Sequence, residues 1–437
     1  MNHITIDTKS TTGEIRRMHA VNNGPVAARA AQTRSNFDTY AALHIPYSRN
    51  HDAAHCAAYG GEHIVDVHCI FPNFDADVND PASYDFFLTD LYTKNTLDAG
   101  TKIFYRLGES IEHRLKKYAI HRPADYLKWA KICEHIIMHY NEGWADGYHW
   151  DIEYWEIWNE ADHDLDDEPN RRTWGGTKLE FFEFYKVAAT YLKGRFPHLK
   201  IGGPALGFRK DWIEEFFSYM TKDGERVPMD FFSWHYYTHR MEKFLARCEY
   251  FKDLVTRFGY GDVEIIVSEW NYVADWCAGF VDTILDIKGI KGAAFVAAVM
   301  AAVQKSNQVD MLMYYDIRAS AFNGVFDTDT LRPLKTYHVF SWFDTLYTLG
   351  NELRSTTDDA DLYVAAAERD GKWGAMITYY TPEQDAAPKK IEIDVSGASQ
   401  MTCALLDNTY KGEVVDVLPA KTEIEMQPNT VIFLSAL

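Results

Sequence analysis

The chain has 437 residues, of which 47% are hydrophobic and 15% aromatic, and its formal net charge is −20. That length holds one large domain plus a small one, each with room for a core. An excess of negative charge repels phosphate backbones and anionic lipid, which argues against nucleic acid and membranes as partners.

The N-terminal stretch lacks a basic start followed by an apolar segment. No apolar run reaches the roughly 18 residues a membrane helix needs. The expectation is a cytoplasmic protein. Cys56, Cys69, Cys133, Cys248, Cys277 and Cys403 are scattered without CxxC spacing, so they read as free thiols rather than a disulfide frame or a zinc site.

In chain order, residues 3–7 read as a strand that joins a distant β-domain, giving an N-terminal segment over 1–13. Apolar β-type runs then follow at 15–21, 44–48, 102–107, 154–158, 199–203, 230–235, 263–268 and 309–315. Segments of helical period separate them. Tyr126, Ala130, Cys133, Ile137 and Tyr140 share one helical face, as do Leu245, Cys248, Phe251, Val255 and Phe258. Gly194 and Pro197 mark a helix stop. Asp211 is placed to cap the helix carrying Trp212. The acidic stretch 162–168 reads as a solvated loop.

About eight alternating β–α units imply parallel strands and, over 14–348, an α/β fold of the (β/α)8 TIM-barrel type. An open doubly wound sheet is the competing architecture. It would place a Gly-rich loop after its first strand, where the chain has Asn22-Asn23-Gly24-Pro25. Beyond residue 349 short alternating runs at 362–367, 373–379, 391–395, 402–406 and 430–434 predict a small C-terminal all-β, sandwich-like domain over 349–437.

Barrel enzymes place their chemistry at the C-terminal ends of the strands. The fourth predicted strand leads into Asn159-Glu160 and the seventh into Glu269-Trp270-Asn271. These strands stand nearly opposite each other, so two carboxylates face one mouth. Cleaving a glycosidic bond needs one carboxyl to protonate the leaving oxygen and a second to attack or to activate water. A separation of about 5–5.5 Å gives retention of configuration, and about 6.5–9.5 Å gives inversion. Either glutamate alone reads as a solvated strand-end carboxylate; the pair, each beside Trp and Asn, reads as a site.

Trp155-Glu156-Ile157-Trp158-Asn159-Glu160 and Val267-Ser268-Glu269-Trp270-Asn271 resemble the fourth- and seventh-strand signatures of clan A glycoside hydrolases. The nearest likeness is to glycoside hydrolase family 39, which includes β-xylosidases and α-L-iduronidases. Tyr47-Ser48-Arg49-Asn50-His51, Gly203-Pro204-Ala205, the run from Asp230 to Tyr237, and Phe322-Asn323-Gly324 match further segments of that family in order.

The resemblance implies Glu160 as acid/base and Glu269 as nucleophile of a retaining, exo-acting glycosidase on short oligosaccharides or small glycosides. It implies Asn159 as donor to the sugar 2-hydroxyl, Arg49 and Tyr237 as partners of Glu269, His51 and His235 as lining of the sugar subsite, and Tyr315 as its stacking floor. His235 also reads as a satisfied core histidine, and His51 as a loop histidine. No cofactor or metal is implied. The partner expected is a carbohydrate substrate, and a homo-oligomer contact through the β-domain stays open.

Two arginines depart from the family pattern. Arg106 stands on the third strand where xylosidases tend to carry an acid, and Arg318 follows the eighth in place of a Trp-containing run. Either an acidic sugar or a structural ion pair accounts for them. Two other function classes compete with the glycosidase. One is a metal-dependent hydrolase using His51 and His55, whose HxxxH spacing on a helix would put both imidazoles on one face. The other is a catalytically silent carbohydrate-binding barrel.

Overall fold

The computed structural model describes residues 1–27, 34–53, 63–207 and 209–436. Its first strand, β1 (Asn2–Glu14), lies away from the barrel. Eight strands then close a parallel barrel in sequence order: β2 (Arg17–Asn22), β3 (Tyr47–Asn50), β4 (Lys102–Leu107), β5 (Tyr154–Ile157), β6 (Lys200–Leu206), β7 (Phe231–Tyr237), β8 (Glu264–Asn271) and β9 (Met311–Tyr314). Pairing of β2 with β9 completes the ring. The closed circuit excludes the open-sheet alternative.

The period of two along each strand sorts side chains between the barrel interior and the surrounding helices. Tyr47, Phe104, Tyr154, Phe231 and Ile266 pack together inside, with Ala20, Met311 and Met313. Trp155, Ile157 and Tyr105 point outward into the helical layer. Two residues beyond Tyr47, Phe104 and Tyr154 the same inward face carries Arg49, Arg106 and Glu156, all fully buried. A charged layer thus sits on top of an apolar one. Burying such groups is tolerable only where they pair, and here they do.

The predicted helices form at Tyr126–Asn141, Lys178–Arg195 and Met241–Arg257. Two local expectations are corrected. Asp211 does not cap its helix: Arg209 holds the cap position, and Asp211 lies in the first turn of Lys210–Met220, where a carboxylate meets the positive end of the helix dipole. The acidic stretch 162–168 is not wholly solvated. Asp162 is buried and accepts from the Gly207 and Arg209 amides, while Asp164 accepts from the Arg172 and Thr173 amides. Leu165 onward is exposed.

After the barrel come β10 (Asn351–Thr357), β11 (Leu362–Arg369), β12 (Lys372–Tyr379), β13 (Lys389–Ser396), β14 (Gln400–Leu406), β15 (Lys411–Pro419), β16 (Lys421–Met426) and β17 (Thr430–Ala436). They form one nine-stranded sheet with β1, in the order β15-β14-β17-β12-β11-β10-β1-β13-β16. Ile4, Ile6, Ile391 and Ile393 from one end share a core with Met401, Cys403, Ile432 and Leu434 from the other. The sheet therefore curls on itself as a sandwich does. Its opposite face, with Ala365, Met376, Val431 and Phe433, joins the barrel's helical core. The sequence pattern misses three strands: β15 and β16, the largely exposed edges, and β10, an inner strand whose one apolar residue is Leu353.

Candidate active site

Glu160 lies three residues past the end of β5, in a backbone that turns sharply. Trp158 (φ 71°) and Glu160 (φ 51°) both occupy the left-handed region, which costs a bulky residue energy and points to a functional constraint. Gly108, at the end of β4 with φ 147°, lets this turn approach. A Cβ there would stand 2.8 Å from the Trp158 Cα. Glu269 lies within β8 rather than after it, because that strand stays paired with β7 as far as Asn271.

Oxygens of Glu160 and Glu269 and a ring nitrogen of His235 all lie within 4.8 Å of one another. The two carboxyls are 3% and 4% exposed. Their surroundings differ. Glu269 receives Arg49 Nη1 on Oε1 at 2.7 Å and the Tyr237 hydroxyl on Oε2 at 2.6 Å. Among the described residues no arginine hydrogen-bonds Glu160; its Oε1 meets His235 Nδ1 at 2.7 Å. Burial pushes the Glu160 carboxyl up to about 8, only partly opposed by His163 and Arg49. Burial raises Glu269 as well, opposed by His235, Arg49 and Tyr237. A guanidinium and a phenol both within hydrogen-bond distance favour the ionised form of Glu269. The two carboxyls thus differ in surroundings: Glu269 has two donors that favour its ionised form, and Glu160 has a neutral imidazole.

Arg49 is the hub. Besides Glu269 it donates through Nε to Glu156 at 2.6 Å, through Nη1 to Asn22 Oδ1 at 3.1 Å, and through Nη2 to Asn159 Oδ1 at 2.8 Å. The contact on Asn159 fixes its amide orientation and leaves the buried Nδ2 without a partner among the described residues. That donor is free for a substrate hydroxyl.

Burial pushes His235 down to about 4 and His51 well below the ordinary histidine range, so both are neutral. The Arg106 Nε donates to His51 Nδ1 at 3.2 Å. The ring proton of His51 is therefore on Nε2, which faces Glu269 Oε1 at 3.3 Å. His235 is anchored by Ser268 Oγ at 3.1 Å from Nε2. Tyr315 donates to Asp52 Oδ2 at 2.7 Å, and its ring meets Tyr237 edge-on at 6.2 Å. All eight residues singled out in the sequence thus converge on one end of the barrel.

The two departing arginines both satisfy protein carboxylates. Arg106 is buried against Asp66 and donates to Ser110 Oγ at 3.2 Å. Arg318 pairs with Asp316 at 2.6 Å and donates to the Asp52 carbonyl at 2.6 Å. Among the described residues two clusters hold metal-type ligand atoms within 4.8 Å: Glu160, His235 and Glu269, and Asp66, His68 and Glu109. In each, an arginine already pairs with one of the carboxylates, Arg49 with Glu269 and Arg106 with Asp66. Residues 51–53 leave β3 without helical structure, so His51 does not start a helix; His55 and Cys56 lie outside the described residues.

Glu156, Asn22, Ser268 and Asp52 were missed in the sequence. Glu156 had a signal, since the period of two from Tyr154 turns it inward with Arg49. The others contribute through backbone-adjacent polar groups that no spacing marks.

Comparison with known proteins agrees with the architecture. The family model described as glycosyl hydrolases family 39 matches residues 3–257, and one described as glycosyl hydrolase catalytic core matches residues 182–335. A β-xylosidase of Geobacillus stearothermophilus is 26% identical over 289 residues, which is 58% of this chain and 52% of that protein. The chain spans about half the length of that curated relative. Among solved structures, a glucosidase from Croceicoccus marinus superposes with a TM-score of 0.77 at 21% identity, covering 100% of this chain and 98% of the other. An α-L-arabinofuranosidase from Thermotoga maritima superposes with a TM-score of 0.68 at 14% identity, with both chains covered completely. At those identities the structures share the fold.

Proposed function

The chain belongs to glycosyl hydrolase family 39, and from that membership we propose that it is a retaining, exo-acting glycosidase of β-xylosidase type, working on small neutral glycosides. The observation that carries the reading is the pair Glu160 and Glu269. One oxygen of each lies within 4.8 Å of the other, a closeness that supports direct attack over an intervening water.

Glu269, held ionised by Arg49 and Tyr237, attacks the anomeric carbon. Glu160 gives its proton to the leaving oxygen. A covalent glycosyl-enzyme results. Glu160, now a carboxylate, takes a proton from water, which attacks the same carbon and releases Glu269. Asn159 Nδ2 donates to the 2-hydroxyl, a contact that tightens as charge develops on the ring. His51 and His235, both neutral, line the subsite, and Tyr315 forms its floor.

A neutral sugar is favoured because Arg106 and Arg318 are both engaged by protein carboxylates. A β-xyloside is favoured by the named relative. The division of labour proposed is a catalytic barrel over 14–348 and a supporting β-domain formed by 1–13 and 349–437.

The test is a panel of nitrophenyl pentosides, hexosides and uronides, with the anomer of the first product followed by NMR. Turnover of a β-pentoside with retained configuration is expected. A uronide preference would refute the neutral-sugar assignment, and an inverted product would refute the nucleophile. Glu269→Gln should abolish turnover; full activity in that variant would remove the mechanism. A protein that binds sugars but turns over none of the panel would be the silent carbohydrate-binding barrel instead.

A further inference from the structure

Past Glu269, the chain leaves β8 and makes a tight turn that presents Trp276. This indole is 54% exposed, whereas Tyr315 beside the reacting carboxylates is 8% exposed. The turn is firmly built. The Asp275 carboxylate accepts from the Cys277 amide at 2.8 Å and from the Gly279 amide at 2.7 Å. The buried Thr283 hydroxyl accepts from the Asp275 amide at 3.1 Å and donates to the Asp275 carbonyl at 3.2 Å. Trp276 stacks on Phe280 with centroids 5.9 Å apart and planes 14° apart. It meets Phe322 at 5.8 Å and the Tyr237 ring edge-on at 5.3 Å.

Tyr237 is the phenol bonded to Glu269, so Trp276 stands one ring outward from the reacting carboxylate. The exposure gradient gives it a place. Glu160, Glu269, His51, His235 and Tyr315 are all under 9% exposed and enclose the glycosyl unit to be transferred. In an exo-acting site the leaving group points to solvent, and the half-exposed indole is where it emerges. An indole held rigidly with a free face offers a large, low-entropy apolar surface to the C–H face of a second sugar or to an aryl group.

We infer that Trp276 is the leaving-group platform of this site, the residue that selects glycosides whose aglycone is a pyranose or an aromatic ring. The inference rests on the glycosidase reading above.

A glycosyl fluoride separates the two. Fluoride reports on Glu269 and the glycosyl subsite but has no aglycone to stack. Wild type, Trp276→Ala and Trp276→Phe are compared on β-xylosyl fluoride, xylobiose and 4-nitrophenyl β-xyloside. Trp276→Ala is expected to lower kcat/KM about tenfold on the last two and to leave the fluoride within twofold. Trp276→Phe should keep most of the activity. Equal losses on all three substrates would overturn the platform role and make Trp276 a support for Tyr237; so would no loss on any. If wild-type protein turns over none of the three, the β-xyloside assignment fails, and the comparison is run with the fluoride, disaccharide and nitrophenyl glycoside of the sugar that the panel above identifies; a protein active on no panel sugar ends the glycosidase reading and the platform with it. An unchanged circular dichroism spectrum checks that the exposed substitution leaves the fold intact.

Discussion

At the scale of single residues, the proposed mechanism depends on making two identical side chains different. The Glu160 carboxyl, pushed up to about 8 by burial, must be protonated to act. The kcat/KM profile on an unactivated glycoside should therefore fall as pH rises through about 8. On the acid side it should fall as Glu269 takes up a proton. In Glu160→Gln the residual activity should lose the alkaline limb; a limb that survives would assign it to another group. Linkage gives a second sign. A carboxyl whose pKa is higher folded than unfolded stabilises the fold in acid, and that contribution is lost as pH climbs from its unfolded value through about 8. Glu160→Gln should remove this loss, so its melting temperature should drop less between pH 5 and 9 than that of the parent. Arg49→Lys tests the hub. A lysine cannot make four directed contacts at once, so Glu269 loses its 2.7 Å partner and Asn159 its orientation. A fall of about 10²–10³ in kcat, with the acid limb moved to higher pH, is expected. An unmoved limb would show that Arg49 does not tune Glu269.

At the scale of elements, legibility followed burial. Seven of the barrel strands were readable because each is buried on both faces and is rich in apolar or aromatic residues; β3, Tyr47–Asn50, was found only through the apolar run that leads into it, since its buried residues are Tyr, Ser, Arg and Asn. The positions of Glu160, past β5, and of Glu269, near the end of β8, were readable because the apolar runs stop close to them. The edge strands β15 and β16 and the inner strand β10 were not, because exposure loosens the pattern at the edges and β10 carries a single apolar residue. Glu156 was half legible: its inward direction follows from Tyr154, but its pairing with Arg49 depends on register between β3, β4 and β5. Asp52 and Trp276 lie in turns whose course no periodicity dictates. Closeness of elements also explains Gly108. With φ 147° and the Trp158 Cα 2.8 Å from where a Cβ would be, Gly108→Ala is expected to cost at least about 2 kcal/mol. The shift falls on the turn carrying Glu160, so kcat should drop more than KM changes. A variant with normal kcat would mean the turn adapts.

At the scale of the whole molecule, barrel and sheet are docked beside the chemistry. Tyr380, immediately after β12, donates to the His239 carbonyl at 2.5 Å. It also packs on Phe295 at 5.3 Å. His239 lies two residues past Tyr237, in the loop that follows the strand carrying both His235 and Tyr237. The β-sheet therefore holds the far end of the segment that positions the Glu269 partner. Tyr380→Phe keeps the packing and deletes one donor, leaving a carbonyl without that partner. The expected cost is about 1–3 kcal/mol of stability. A second consequence separates docking from mere stability. Looser anchoring of the loop weakens the Tyr237 hydroxyl on Glu269, so the acid limb of kcat/KM should move to higher pH in Tyr380→Phe, in the same direction as in Arg49→Lys and by less. A destabilised variant with an unshifted limb would confine the sheet to a structural role. A shifted limb would make the β-domain part of how the nucleophile is kept ionised, through a chain that runs from Tyr380 to His239 to Tyr237 to Glu269.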